Sequence, residues 1–382
     1  MKKSRGQYFT ENEALQQFVF DAVRNKEELL EPSFGAGHLL KKFKQANPNY
    51  PMTCYELDDT IKPIVELNAH QKVIYGDFTQ QKITKRFKTI IGNPPYVKQP
   101  KGNNLYIKFI EICFGLLEPN GEMIFIVPSD FIKLTSASAL ITKMTTQGSF
   151  TDFLFPHDEK LFEGASIDVL VFRYEKGLKG LKGLKGEEEK QTIVNGTQKY
   201  IHVSNGIITF STNGKKGRPL SELFDVYVGL VSGRDEIYRV PIGNIQIMSD
   251  KDKVDTYIYT EKFPTENSAI NAHLLTHKEE LLERRIRNFH EGNWFEWGAP
   301  RNKKIMEEPK PCIYIRNMTR KKTVAFEGTV QYFSGTLLCL IPKVPTPLKE
   351  TVEYFNSTDF QKDYMYAGRF KIGQKQLLNV FI

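Results

Sequence analysis

The chain has 382 residues, 40% of them apolar and 26% charged, with 19 prolines and 27 glycines; this size predicts two domains able to bury cores without disulfides or metals, and excludes a miniature scaffold or a disordered chain. Cys54, Cys113, Cys312 and Cys339 lie far apart with no C-x-x-C pair, which disfavours a disulfide framework or a thiolate zinc site and predicts a reducing, cytoplasmic setting. The net charge is +8, and residues 1–176 hold 22 Lys and Arg against 21 Asp and Glu while the remainder holds 31 against 24, so a polyanion, most commonly nucleic acid, is the predicted partner of the second part.

The basic start, Met1 to Gly6, is followed by Glu11 and Glu13 rather than an apolar core, so no secretion signal is predicted. The longest apolar runs are strand-sized, which predicts no membrane helix. Helical spacing over 13–23 leads into a short strand at 28–31, a glycine turn at 32–37 and a second helix from Leu39. Short apolar runs at 52–57, 73–75, 89–91, 123–127 and 169–172 alternate with helical patterns at 61–69 and 106–117. That alternation predicts an α/β fold with a doubly wound, mostly parallel Rossmann-like sheet. Residues 177–190 (GLKGLKGLKGEEEK) are predicted to be a mobile low-complexity loop, and Asn-Gly turns at 195, 205 and 213 predict an extra hairpin before the first domain closes at residue 214. From 215 to 382 the pattern becomes irregular α+β, with its clearest helix at 268–289.

Asn93-Pro94-Pro95-Tyr96 follows the strand at 89–91, at the carboxyl edge where doubly wound sheets bind ligands. The residue types suit an amine substrate. The lone pair of an exocyclic purine amine is delocalised into the ring, and two acceptors, the Asn93 side-chain oxygen and the Pro94 carbonyl, favour the geometry that frees it. Paired prolines hold the carbonyl rigid, and Tyr96 offers a stacking face. The turn Glu31-Pro32-Ser33-Phe34-Gly35-Ala36-Gly37 lets a ligand approach the backbone, but it lacks the Gly-Lys-Ser/Thr of a P-loop, and Leu40 replaces the third glycine of G-x-G-x-x-G. Glu56, with Leu57 and Asp58 beside it, ends the next strand where ribose hydroxyls are gripped. Asp77 and Phe78 follow the strand after that, suited to an adenine amine and ring.

Together with Gly6-Gln7-Tyr8-Phe9-Thr10 and residues 121–132 (GEMIFIVPSDFI), these motifs resemble the S-adenosylmethionine-dependent adenine-N6 DNA methyltransferases of restriction–modification systems, in the gamma arrangement. The resemblance covers residues 4–176 and implies that Tyr8, Thr10, Glu31, Pro32, Ser33, Gly35 and Gly37 hold the methionine end of the cofactor. It further implies Glu56 and Leu57 at the ribose, Asp77 and Phe78 at the adenine, and Asn93 to Tyr96 as catalytic, Asn93 also touching the cofactor, with Phe162 stacking on a flipped base opposite Tyr96 and Phe155 its weaker competitor. Such a base must leave the duplex before it can react. Cytosine-C5 chemistry needs a catalytic Pro-Cys, and the only such pair, Pro311-Cys312, lies in the basic second part.

The resemblance makes the second domain the reader of double-stranded DNA, and it admits a cognate restriction endonuclease acting on the same site. Arg284, Arg301, Lys303, Lys304, Arg316, Arg320, Lys321, Lys322, Arg369 and Lys371 are the expected phosphate contacts, with Trp294 and Trp297 filling the gap left by a flipped base. His273 and His277 lack a third ligand and are read as helix surface, so no metal is expected. A monomer is expected, since methylating one strand at a time requires no protein symmetry. The residues leave open another planar amine (cytosine-N4, an RNA base or protein glutamine) and a non-catalytic DNA-binding protein.

Overall fold

The apolar spacing after Asn12 forms helix α1 (Glu13–Ala22), whose start is fixed by Asn12 Oδ1 accepting the Leu15 N–H at 3.0 Å, and which buries Leu15 and Val19. The computed structural model describes residues 9–97, 104–156, 168–178, 181–182, 188–212, 214, 217–366 and 368–382. The chain divides into two units, Met1–Lys216 with Tyr366–Gly368, and Gly217–Met365 with Arg369–Ile382.

The first unit is built on strands β1 (Leu29–Glu31), β2 (Met52–Glu56), β3 (Gln71–Tyr75), β4 (Phe87–Gly92), β5 (Leu117–Pro128), β6 (Gly148–Leu154) and β7 (Val169–Lys176), ordered β6-β7-β5-β4-β1-β2-β3. β3, β2, β1, β4 and β5 pair in parallel, and β7 runs antiparallel between β5 and β6. Met123 to Val127 are all buried, as a central strand of a sheet covered on both faces requires. Helices α2 (Leu40–Ala46), α3 (Leu105–Leu116) and α4 (Thr135–Gln147) complete the doubly wound pattern. From β1 the chain winds outward one way through β2 and β3, and from β4 the other way through β5. The carboxyl ends of β1 and β4 therefore flank the switch point.

Beneath the sheet the buried Glu122 and Arg173 pair directly. Arg173 Nε and Nη2 donate to Glu122 Oε2 at 3.0 and 2.5 Å, while Glu122 Oε1 accepts the N–H groups of Arg24 and Asn25 at 2.8 and 2.7 Å. One ion pair thus ties β5 and β7 to the segment leading into β1.

Two expected elements differ. Residues 61–69 are not helical, because Pro63 has no N–H to give and the Ile64 N–H is taken by the carbonyl of Ala36 at 2.9 Å. Within 177–190, Leu181–Lys182 (β8) pairs antiparallel with β9 (Glu188–Val194), while 179–180 and 183–187 lie outside the described residues. β9, β10 (Thr197–Ser204) and β11 (Ile207–Ser211) extend the sheet beyond β6, giving eleven strands among the described residues.

The second unit holds a four-stranded antiparallel sheet ordered Phe224–Val228, Leu337–Pro342, Pro311–Arg316, Ala325–Thr329, and a hairpin of Ile245–Asp250 with Lys253–Tyr257. The expected long helix at 268–289 is two short ones, Ser268–Thr276 and Lys278–Leu282, broken at His277, whose backbone leaves helical geometry. Four of the residues expected at DNA are instead structural. Arg284 is 6% exposed and donates to the carbonyls of Leu281, Ser232, Glu296 and Trp294, satisfying a loop that otherwise buries bare acceptors. Arg316 is 8% exposed, donating to the Thr323 carbonyl and pairing with Asp250. Trp294 and Trp297 are core residues, the latter donating its Nε1–H to the Ile258 carbonyl at 2.7 Å. Their large apolar area is worth more inside the unit than held at its surface.

Of the other basic residues, Arg301, Lys304, Arg320 and Lys322 are exposed, Lys303 faces Glu307, Lys321 pairs with Asp250, and Arg369 and Lys371 are half-buried on a three-residue strand. His273 meets the Ile237 carbonyl at 2.8 Å and His277 lies 3.3 Å from Glu280. All four cysteines are buried thiols, two in each unit. Among the described residues, no helix is long and apolar enough to cross a membrane.

Candidate active site

At the carboxyl ends of β1, β2, β3 and β4 the first unit opens a cavity of about 250 Å³. Its walls bring together many of the residues singled out from the sequence: Pro32, Ser33 and Gly35 from the glycine turn, Glu56 and Leu57 at the end of β2, Asp77 and Phe78 after β3, and Asn93 and Pro95 after β4. The turn is shaped by Gly35 at φ +56° and Gly37 at φ +83°, and a Cβ on Gly37 would come within 2.8 Å of the Phe34 ring. Gly37 therefore shapes the loop from beneath rather than lining the cavity.

Glu56 is held from both sides. Its Oε2 accepts the Gly35 N–H at 2.7 Å and its Oε1 the Asp58 N–H at 2.9 Å, which fixes the carboxylate and leaves lone pairs on both oxygens. Asp77 caps the short turn Phe78–Gln80 through Oδ1, which accepts from the Thr79 N–H and hydroxyl at 2.8 Å each. Phe78 is buried against Tyr55 and Phe109, with ring centres 5.3 and 5.2 Å away. Leu57 is the opposite case, 64% exposed at the cavity wall.

A smaller recess is lined by Phe9, Thr10, Glu31, Ser33, His38 and Asn93 among others. Glu31 is 1% exposed, and its Oε2, like the Ser33 hydroxyl, is buried without a hydrogen-bond partner. Burial, with the nearby Glu56 carboxylate, pushes the Glu31 carboxyl well above the ordinary carboxylate range. Burial also pulls His38 below its usual value, which favours the neutral imidazole. Among the described residues, the recess thus presents a buried Glu31 oxygen and a Ser33 hydroxyl that no other group satisfies.

Asn93 joins the recess to the catalytic turn. Its Nδ2 donates to Thr10 Oγ1 at 3.0 Å, and its Oδ1 accepts from the Tyr96 hydroxyl at 2.5 Å. That hydroxyl also lies 3.2 Å from the Ile126 carbonyl, and the half-buried Tyr96 ring stands edge-on to Tyr106 at 6.2 Å. Pro94 is buried. Tyr8 and Phe162 lie outside the described residues, and Phe155 is buried among Phe153 and Phe210.

Sequence reasoning missed Phe9, Tyr55, Ile61, Thr79, Gln80, Leu105, Lys108 and Phe109 as cavity walls. Phe9, Tyr55 and Thr79 adjoin residues that were singled out. The α3 residues carry no mark that separates a cavity wall from ordinary helix packing.

Residues 25–162 match the family described as Eco57I restriction-modification methylase. That span holds the glycine turn, Glu56, Asp77 and Asn93 to Tyr96, so the family match and the motif resemblance coincide there. Thr10 and the second unit lie outside it. Type II methyltransferase M.HincII of Haemophilus influenzae is 30% identical over 198 residues, covering 46% of this chain and 38% of that one. Type II methyltransferase M.TthHB8I of Thermus thermophilus is 26% identical over 230 residues, covering 52% of each. The chain thus spans only about two-fifths to half the length of these relatives. The type IIG restriction endonuclease BpuSI aligns in structure over all of this chain and 59% of its own, at 12% identity and a TM-score of 0.41, a likeness too slight to bear on function.

Proposed function

We propose that the protein is a site-specific DNA methyltransferase that transfers a methyl group from S-adenosylmethionine to the exocyclic amine of a flipped adenine. The observation that supports this reading is a single cavity shared by the turn holding Asn93 and Pro95 and by the carboxylates of Glu56 and Asp77. The residues suit the cofactor chemically. The unpartnered Glu31 oxygen and Ser33 hydroxyl match an ammonium-bearing tail, the fixed Glu56 carboxylate a ribose diol, and Asp77 with Leu57, Ile61 and Phe78 an adenine. When bound, S-adenosylmethionine supplies an electrophilic methyl group. The chain supplies position: Asn93 Oδ1 and the Pro94 carbonyl accept the N–H groups of the target amine, and buried surroundings strengthen both bonds. Tyr96 and Phe162 are the proposed stacking faces for the flipped base, and Tyr8 joins Thr10 at the methionine end.

On this reading the second unit positions double-stranded DNA through its exposed basic residues, Arg301, Lys304, Arg320 and Lys322 foremost. The protein works as a cytoplasmic monomer, with a cognate restriction endonuclease sharing its site. Nucleoside mass spectrometry of undermethylated DNA, incubated with the protein and isotopically marked S-adenosylmethionine, tests the proposal. The expected product is N6-methyladenine. The mark on cytosine N4 would move the chemistry to another base, and its absence from every DNA base with cofactor bound would overturn the reading.

A further inference from the structure

An amino-acid head group carries one charge of each sign, and a site that takes it out of water must answer both. The recess shares Phe9, Ser33, Gly35 and Asn93 with the main cavity. On the methyltransferase reading, on which this inference rests for its ligand, the methionine head of S-adenosylmethionine lies there. Among the described residues that line the recess, Glu31 is the one acid and His38 the one base. Backbone N–H groups often receive an anion at such a turn, but three of them are already committed here. That of Phe34 goes to the Tyr55 carbonyl at 2.9 Å, that of Gly35 to Glu56 Oε2 at 2.7 Å and that of Gly37 to the Phe34 carbonyl at 2.9 Å. We infer that His38 receives the carboxylate of the methionine head while Glu31 receives its ammonium, and that the proton Glu31 releases in doing so is matched by one that His38 takes up.

The proton balance follows from what surrounds the two side chains. Unliganded, they are a neutral pair. Burial and the neighbouring Glu56 keep the proton on Glu31, and burial keeps one off half-buried His38, where Glu11 and Lys41 act in opposite senses. Cys54, which pairs with Glu31 across β1 and β2, stays a thiol because burial pushes it well above its usual value. An ammonium beside Glu31 favours the carboxylate, and a carboxylate beside His38 favours the imidazolium. One proton leaves Glu31, one joins His38, and the head group keeps its own. The filled recess then holds two ion pairs, whereas either residue alone would have to exchange a proton with solvent.

Isothermal titration calorimetry at neutral pH, in buffers of differing ionisation enthalpy, counts the protons exchanged on binding. With S-adenosylmethionine the wild type should exchange none. His38→Gln should bind it roughly 10- to 100-fold more weakly, the scale of one lost charge-assisted hydrogen bond, and should release about one proton. Decarboxylated S-adenosylmethionine lacks the group that His38 answers. Wild type and His38→Gln should therefore bind it with Kd values within about threefold of each other, each releasing about one proton. That second ligand also shows that the variant is folded. An equal effect of the substitution on both ligands, or a proton count unchanged in His38→Gln, would overturn the inference and leave the methyltransferase reading standing. A wild type with the expected signature that methylates no DNA base would keep the role of His38 and remove the DNA reading, and a wild type that binds neither ligand would remove both.

Discussion

Glu31 illustrates a residue kept against the interest of the fold that holds it. Its carboxyl is buried without a partner for Oε2, and its pKa is raised by burial and by Glu56. The protonated form therefore fits the fold at no charge cost below the ordinary carboxylate range, and stability is lost as pH rises toward the raised value. Glu31→Gln should accordingly unfold at a higher temperature than wild type at pH 8, by about 1–3 kcal/mol in stability, with the gap closing toward pH 4. The same variant should bind S-adenosylmethionine more weakly. Equal melting at pH 8 would mean that the carboxyl finds a partner in solution. For Asn93→Ala the expectation is reversed: calorimetry should find the cofactor still bound, and methyl transfer should be lost. Asn93, Glu56 and Asp77 were legible because each lies at the carboxyl end of a recognisable strand. Phe109 and Lys108 were not, since an aromatic and a lysine on an apolar helix read as packing and solvation until the neighbouring strands are in place.

Among elements, β5 and β7 depend on the Glu122–Arg173 pair, whose carboxylate also satisfies two backbone N–H groups ahead of β1. Glu122→Ala leaves Arg173 with the half-buried Glu175 as its remaining carboxylate and orphans the two backbone N–H groups, so it should cost about 3 kcal/mol. Urea unfolding should show a lower midpoint with an unchanged slope, and an unaltered midpoint would refute the structural role. The parallel strands were legible from short apolar runs separated by helical spacing, since an apolar run buried on both faces carries its own signal. Two helices were misread. At 61–69 a single hydrogen bond from Ile64 to Ala36 and the ring of Pro63 override the periodicity, and at 268–289 the backbone leaves helical geometry at His277. The Ala36 carbonyl that takes the Ile64 N–H is distant along the chain, and local pattern does not carry such a partner.

For the molecule as a whole, the excess positive charge in the second part was legible as a sum but not as a surface. Arg284 and Arg316 belong to the interior, whereas Lys304 and Lys322 face solvent. DNA affinity should fall steeply with salt, and the double variant Lys304→Ala/Lys322→Ala should flatten the slope of log affinity against log salt by about 0.9 for each phosphate contact removed. Arg284→Ala should leave that slope alone and lower the unfolding midpoint. Fluorescence anisotropy at several salt concentrations separates these outcomes, and an unchanged slope in the double variant would place the DNA contacts elsewhere.

The buried thiols have a further consequence. Cys54 and Cys113 sit inside the first unit and Cys312 and Cys339 inside the second, all shielded from solvent. A thiol reagent can reach them only through opening of the unit that encloses them. The native chain thus carries two internal clocks, and peptide-resolved alkylation rates would time the breathing of each unit separately without a single engineered probe.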